Sequence, residues 1–568
     1  MSLAQAQMAR NTPVTPRALS EPAEATPHHL TVPATRPEIP NDAFIPMPRE
    51  GRPTTPSVRR TRNGSVSIQV NVFYLDGQPY NTVGDAANEP SIAVDPTNPN
   101  RMAIGWRQFD TIESDFRQAG WGYTGDGGRS WVFPGVIEPG HFRSDPVLDA
   151  DANGNFYYNS LTNEGGYQCK VFKSTDGGMS WDDGVYAYGG DKAWMAIDRT
   201  GSIGHGNIYA AWDYAGCCGD DWFNRSTDSG QTFESPVPIP EQPIWGVTAV
   251  GPDGEVYIAG RRLTTNTQFI VAKSTTVQDP TEPLAFDFAV EVDLGGSLLY
   301  YVLNSPNPAG LLGQVWIAAD HSDGPTRGNV YMLSSVDPTG TDPLDLHFVR
   351  STDGGQTWST PIRVNDDTPG TDAWQWFGTM AVAPNGRIDV IWNDTRNDPG
   401  GYLSELYYAC STDAGQTWSV NEPLGPAFDP HLGWPQQNKL GDYCDMVSDR
   451  VGAHVAYAAT YNGEQDVYYL RIGDYDCNNN GIGDTIDIAD GTSLDCDGDG
   501  IPDECEYPGC PGIVLGDMNC DGDKNGADIQ RFVQTIVSES YTCQADSDED
   551  GDVDLADVPL FVSILLTS

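Results

Sequence analysis

No apolar run in the 568 residues approaches the ~20 needed to cross a bilayer, so no membrane-spanning helix is expected. The opening MSLAQAQMAR lacks a long apolar core, so no intact signal peptide is visible. Positive charge is scarce: 31 Lys and Arg stand against 80 Asp and Glu, a net charge of -49. A polyanion of this kind repels phosphate, which argues against nucleic acid as a partner. The eight His are scattered and show no H-E-x-x-H spacing. No Ser/His/Asp triad, phosphate loop or thiolate zinc site is evident.

What is present is turn chemistry. The chain has 62 Gly and 42 Pro, with 10% aromatics and only 20% charged residues, which favours a turn-rich β protein. Its length implies several domains. Residues 1–65 carry +3, whereas 474–568 carry -21. Such acidity fits a calcium-loaded extracellular protein, because hard cations take oxygen ligands. Of eleven Cys, six lie between Cys477 and Cys543, and Cys217-Cys218 is a vicinal pair. Interleaved with Asp-rich loops, they read as disulfides of an oxidising compartment, hence a secreted or cell-surface protein. The odd count leaves at least one Cys unpaired within the chain.

One nonapeptide recurs: YTGDGGRSW (123–131), KSTDGGMSW (173–181), RSTDSGQTF (225–233), RSTDGGQTW (350–358) and CSTDAGQTW (410–418). Ahead of each copy stands a strand, a short turn and another strand. Seven such pairs begin near 89, 144, 192, 245, 315, 377 and 443. The fourth is followed by a decayed motif, KSTT at 273–276, and the seventh by a strand alone. Each unit reads as four antiparallel strands that bury both faces only when stacked radially, as in a propeller. The fold expected is all-β: a β-propeller of four-stranded blades, seven by this count with six the alternative. VSIQVNVFYL (66–75) is the spare strand expected to close the ring.

The nonapeptide, S/T-x-D-x-G-x-T/S-W/F, resembles the Asp-box (BNR) repeat of sialidase-like propellers. Its role is expected to be structural: Ser351 and Asp353 bond local N–H groups, Gly355 allows the turn, and Trp358 packs between sheets. In an up-and-down meander these turns lie on the face opposite the strand starts. The loops at those starts surround the mouth of the axial channel, where a ligand is expected. That rim holds Glu89, Arg107, Asp145, Asp191, Lys192, Asp213, Arg261, Arg262, Asp394, Arg396 and Asp442, with Trp106, Trp212, Trp245, Trp376, Trp392 and Tyr443. Candidate catalytic carboxylates are Asp145, Asp394, Glu89 and Asp442, suited to acid–base work on a glycosidic bond. Candidate substrate-binding residues are Arg107, Arg261, Arg396, Trp245, Trp376 and Tyr443, where Arg can grip a carboxylate and aromatics a sugar face. The resemblance implies an Arg trio on the substrate carboxylate, a Tyr–Glu nucleophile pair and an Asp acid/base. The Arg-Ile-Pro signature of sialidases is absent, and sialidases have six blades. The alternatives are therefore a sialidase-like glycoside hydrolase and a non-catalytic scaffold that binds glycan or protein. A structural reading also stands, in which rim Arg and Asp brace loops, as Asp394 and Arg396 do in WNDTR.

The last 95 residues carry calcium chemistry. DMNCDGDKNGAD (517–528) and DSDEDGDVDLAD (546–557) have EF-hand-type oxygen spacing, with Gly522 and Gly551 at position 6. Each leads into an apolar stretch. A duplicated loop–helix unit with Asp at position 12 resembles a type I dockerin. The implied ligands are Asp517, Asn519, Asp521, Asn525 and Asp528, then Asp546, Asp548, Asp550, Asp554 and Asp557. Cys520 and Cys543 are placed to staple the two halves. The stretches 476–488 and 495–505 resemble thrombospondin type 3-like calcium repeats, with Asp476, Asn478, Asn480, Asp484, Asp495, Asp497, Asp499 and Asp503 as candidate ligands. The division expected is a Pro-rich leader (1–65), the propeller (66–473), an Asp-rich calcium linker (474–512) and a small α-helical dockerin-like domain (513–568). The expected partners are Ca2+, an extracellular glycan or glycoprotein, and a cohesin-like protein.

Overall fold

The computed structural model describes residues 42–44, 50–53, 59–60, 66–493, 495, 500–506, 515–518, 523–538, 544–548 and 553–567. Among these, strands dominate and form eight sheets, seven of which follow one plan. The first joins Ala86–Val94, Met102–Phe109, Gln118–Thr124 and Val132–Ile137 in sequence order, each pair antiparallel. The others open with Ser144–Ala150, Trp194–Ile197, the split strand Pro243–Ile244 and Thr248–Val250, Trp316–Ala319, Gln375–Val382 and Asp445–Ser448. Each opening strand packs on that of the next sheet, and Asp445–Ser448 returns to pack on Ala86–Val94. Sheets stacked radially into a closed ring make a β-propeller. No described helix is long and apolar enough to cross a membrane.

Radial stacking explains the sequence of the inner strands. Neighbouring sheets cover both faces, so every residue of Met102–Phe109 is buried, and all but the last of Ala86–Val94. Trp106, Trp376 and Trp392 are fully enclosed. Each such side chain contributes about 2–3 kcal/mol of burial. They are core residues, and the expectation that they line the rim is corrected accordingly.

The N-terminal run expected as one closing strand is two. Val66–Gln69 pairs with Asp466–Gly473, with Ile68 opposite Tyr469. The chain then bends, and Val72–Leu75 forms a separate sheet with Gln78–Thr82 and Gly51–Pro53. The bend is pinned by buried Asn71, which donates to Asp466 Oδ1 at 2.9 Å and accepts the N–H of Val467 at 3.2 Å.

The five Asp-box turns share one hydrogen-bond pattern. Ser351 Oγ donates to Asp353 Oδ1 (2.7 Å) and accepts the N–H of Gly355 (2.9 Å). Asp353 also accepts the N–H of Thr357 (2.9 Å) and its hydroxyl (2.6 Å). The same bonds recur around Asp126, Asp176, Asp228 and Asp413. Gly415 is left-handed (φ 74°), and a Cβ there would collide with the Phe348 ring of the same chain. In the decayed fourth copy, Asp287 takes over from outside the motif. It accepts the N–H of Thr275 at 2.9 Å and its hydroxyl at 2.8 Å.

Candidate functional site

The opening strands begin with strained backbone. Glu89, Asp145, Lys192, Trp245 and Phe377 stand at equivalent points, each six residues before the turn that ends its strand. All five are left-handed, with φ between 47° and 60°. For a non-glycine residue this costs on the order of 1–2 kcal/mol. Beside Glu89, Asp145 and Phe377 the strand pairing slips register, and at Trp245 the strand is split. Such bulges re-aim side chains.

The re-aimed side chains meet charges from the adjoining strand, from another sheet and from a long connection. Arg107 Nε lies 3.1 Å from Glu89 Oε2, and Lys439 Nζ lies 3.6 Å from Glu89 Oε1. Lys439 and Lys192 each hold Asp442 Oδ2 at 2.8 Å. Lys192 also stands 3.3 Å from Asp191 and 3.7 Å from Asp145, and its backbone N–H donates to Asp145 Oδ2 at 2.8 Å. Tyr443 donates to the carbonyl of Pro146 at 2.8 Å. Burial pushes Glu89 up to about 7, against the pull of Arg107 and Lys439. Burial acts on Asp442 in the same sense, but Lys192 and Lys439 override it and hold that carboxyl well below its usual range. Burial likewise lifts Asp213 to about 6 and Asp445 to about 7. Asp213 accepts Trp245 Nε1 at 2.9 Å, and Asp445 accepts Ser91 Oγ at 2.7 Å and the N–H of Ile92 at 3.0 Å.

Two long connections, 299–312 and 425–442, interlock beside this network. Asn307 donates to the carbonyls of Leu311 (2.6 Å) and Gly441 (2.8 Å) and accepts the N–H of Leu440 (2.8 Å). Ala309 N–H reaches Asn438 O at 3.0 Å, and Leu311 N–H reaches Asp442 Oδ1 at 2.8 Å. Glu89, Asp145 and Asp442 beside these connections, and Asp394 in its own blade, are each no more than 2% exposed.

The three expected substrate arginines have three separate partner sets. Arg107 serves Glu89 and accepts no exposure. Arg261 donates to the carbonyls of Arg262 (3.0 Å) and Leu263 (3.1 Å) and stacks on Trp245 (4.1 Å) and Tyr300 (5.2 Å). Arg396 bonds Asp394 Oδ2 at 2.8 Å and Asp366 at 2.6 Å over the Tyr407 ring, while Trp392 Nε1 donates to Asp394 at 2.7 Å. WNDTR is thus a brace. Trp376 Nε1 donates to Ser404 Oγ at 3.0 Å within the core, away from any surface. Glu89, Arg107, Asp145, Asp442 and Tyr443 do come together. Sequence reading passed over Lys439 and Asn307. Rarity was the available signal for Lys439, since the whole chain has only six Lys and two of them sit in this network.

The second region of functional interest is the tail. Carboxylate oxygens of Asp546, Asp548 and Asp557 lie within 4.8 Å of one another. Asp557 also accepts the N–H groups of Ser547 (2.6 Å) and Asp554 (2.8 Å), which winds the loop around it. In the preceding loop Asp528 accepts the N–H of Asn525 at 2.8 Å, and Asp517 and Asp528 are buried. Helices Ile529–Ser538 and Asp557–Thr567 meet through Phe532 stacked on Phe561 at 3.7 Å, flanked by Met518 and Ala545. In the linker, Asp495 accepts the N–H of Gly500 at 3.1 Å and Asp503 is buried. Cys477 bonds Cys505, and Cys217 bonds Cys218. The expected ligands Asn519, Asp521, Asp550, Asp497 and Asp499, and the expected Cys520–Cys543 staple, lie outside the described residues.

No protein-family model matches the chain, and no curated protein is similar to it in sequence. Several solved structures are similar to it at low identity. A protein of unknown function from Dyadobacter fermentans is 14% identical over 74% of this chain and 99% of its own, with a TM-score of 0.40. A mutant of NanB sialidase from Streptococcus pneumoniae is 10% identical over 54% of this chain and 65% of its own, with a TM-score of 0.37. Trypanosoma rangeli sialidase, in complex with the inhibitor DANA, is 11% identical over 71% of this chain and 59% of its own, with a TM-score of 0.36.

Proposed function

We propose that this chain is a secreted, calcium-binding propeller of seven blades that binds an extracellular glycan or glycoprotein without cleaving it. In this reading a C-terminal dockerin-like module displays it on a cohesin-like partner. One observation carries the non-catalytic reading: all four candidate catalytic carboxylates are enclosed, at 2% exposure or less, and each faces a cation or donor of the same chain. A carboxylate consumed in this way cannot reach a glycosidic oxygen. Calcium would be held at 517–528 and 546–557, where Asp517, Asn525, Asp528, Asp546, Asp548, Asp554 and Asp557 offer the hard oxygens that it takes. It would supply charge neutralisation and loop order there, with no part in chemistry. Disulfides and an acidic surface are compatible with an extracellular setting.

A sialidase-like hydrolase is the second reading, favoured by Glu89, whose proton is available near pH 7 beside Tyr443. Assay of the full chain on a panel of sialosides and acidic glycans, with retention on the same glycans immobilised, separates the two. Retention without turnover is expected. Turnover that disappears in Glu89→Gln would overturn the non-catalytic reading.

A further inference from the structure

Directly after the last propeller strand comes DCNNNGIGDTID, 476–487. Counted from Asp476, side-chain oxygens fall at the first, third, fifth, ninth and twelfth positions of a calcium loop, and Gly481 at the sixth is left-handed (φ 86°). Asp476 accepts the N–H groups of Asn480 (3.0 Å) and Gly481 (2.8 Å), so the loop is wound about its first carboxylate.

Two carboxylates of the loop have exchanged duties. Asp484, a ligand by spacing, is engaged elsewhere. Its Oδ1 accepts the N–H of Cys477 at 2.9 Å, and its Oδ2 accepts Arg129 Nη2 at 3.2 Å. Arg129 belongs to the Asp-box turn of the first sheet, and its guanidinium lies over the Tyr475 ring at 4.0 Å. From the same sheet Asn100 Nδ2 donates to the carbonyl of Cys477 at 3.1 Å. Asp487, at the twelfth position, is the reverse case. It is fully buried, its Oδ2 accepts the amides of Asn480 (2.7 Å) and Asn478 (3.3 Å), and its Oδ1 has no hydrogen-bond partner. A buried carboxylate oxygen without a donor is costly, and a cation relieves it. The amide oxygens of Asn478 and Asn480 accept the N–H groups of Asn480 (3.1 Å) and Ile482 (2.7 Å), and half a turn of either amide would exchange that bond for a carbonyl oxygen facing Asp487, where a cation can take it as a ligand.

Resting on the calcium reading above, we propose that Asp476, Asn478, Asn480 and Asp487 hold one divalent cation of the calcium class, and that Asp484 is a latch that fastens this loop to the propeller through Arg129. The ion orders the loop, and the ordered loop presents Asp484 to the Asp-box face. Calcium therefore sets how firmly everything C-terminal to the ring is attached at its root.

The test uses the full chain and calcium itself. Native mass spectrometry counts bound ions, and hydrogen exchange with and without chelator reads protection of 474–493. Asp487→Asn is expected to lose one ion relative to the parent. Asp484→Asn and Arg129→Gln are expected to keep the parent count but to lose most of the calcium-dependent protection, which in the parent should be about tenfold or more. Loss of an ion in Asp484→Asn with none lost in Asp487→Asn would overturn the assignment. So would full protection in Arg129→Gln. If the parent binds calcium that Asp517→Ala with Asp546→Ala abolishes entirely, only this inference fails. If the parent binds none, the calcium reading fails with it.

Discussion

The two faces of the propeller use carboxylates in opposite ways. On the turn face, Asp353 and its four counterparts are satisfied by groups within four residues: a hydroxyl before, a hydroxyl after and the intervening N–H groups. The bond from Thr357 leads in drawing Asp353 down to about 2. On the strand-start face, Glu89 is met by Arg107 from the adjoining strand and by Lys439 from far along the chain, while Asp442 is met by nearby Lys439 and by Lys192 from a distant sheet, which also stands beside Asp145. Burial there drives Glu89 up while the lysines hold Asp442 down. A locally satisfied carboxylate can be copied from blade to blade without regard to its neighbours. One satisfied across the ring can exist only where the right cation arrives, so it occurs once and ties several blades together.

Removing a cation from the ring network should have the largest effect. Lys192→Met keeps the aliphatic stem but leaves the enclosed Asp442 and Asp145 with one cation fewer. A loss of about 3–5 kcal/mol is expected in urea unfolding of the full chain, because the uncompensated charges stay buried. A loss under about 1 kcal/mol would mean that the network opens to water, and the contrast between the faces would collapse. Next in size is Gly415→Ala on the turn face. The left-handed backbone and the Phe348 ring both oppose the added methyl, and about 2 kcal/mol of destabilisation is expected by the same measurement. An equal substitution at Gly463, left-handed but with open space around it, should cost only the backbone strain of about 1 kcal/mol.

This difference between faces also decides what the sequence reveals. The Asp-box turn is written out in nine consecutive residues, so its repetition exposes the blades and hence the ring. The missing fourth copy hides its substitute, Asp287, because that residue comes from outside the motif. At the strand starts the sequence displays Glu89, Arg107, Asp145, Asp442 and Tyr443 as rim residues but not that loops 299–312 and 425–442 enclose them. Nothing in a linear pattern announces that Asn307 will bond Leu440, which lies 133 positions away. Trp376 and Trp392 mislead for a related reason. Strand ends near a channel look exposed until the bulge beside Phe377 turns them into the sheet. In the tail, spacing shows the loops but not that Asp484 has been drawn off by Arg129.

The last effect is the one whose sign differs between the faces. Glu89 folds with its pKa raised from 4.5 to about 7, so the folded protein binds the extra proton. Its contribution is therefore complete below 4.5 and is lost as pH rises through 7, in the direction that linkage requires. Asp213, raised to about 6, acts in the same sense. Asp353 folds with its pKa lowered from 3.8 to about 2. Its contribution is complete above 3.8 and is lost as pH falls through 2. Because Asp353 is largely open to solvent, screening keeps its share small. Unfolding midpoints of the parent, Glu89→Gln and Asp353→Asn across pH 2–8 test both signs at once. Glu89→Gln should flatten the decline between pH 4.5 and 7 and leave the acid limb as it was. Asp353→Asn should soften the acid limb alone. If Glu89→Gln instead flattens the acid limb, the carboxyl is ionised in the fold at neutral pH, Arg107 and Lys439 prevail over burial, and the two faces handle their carboxylates alike.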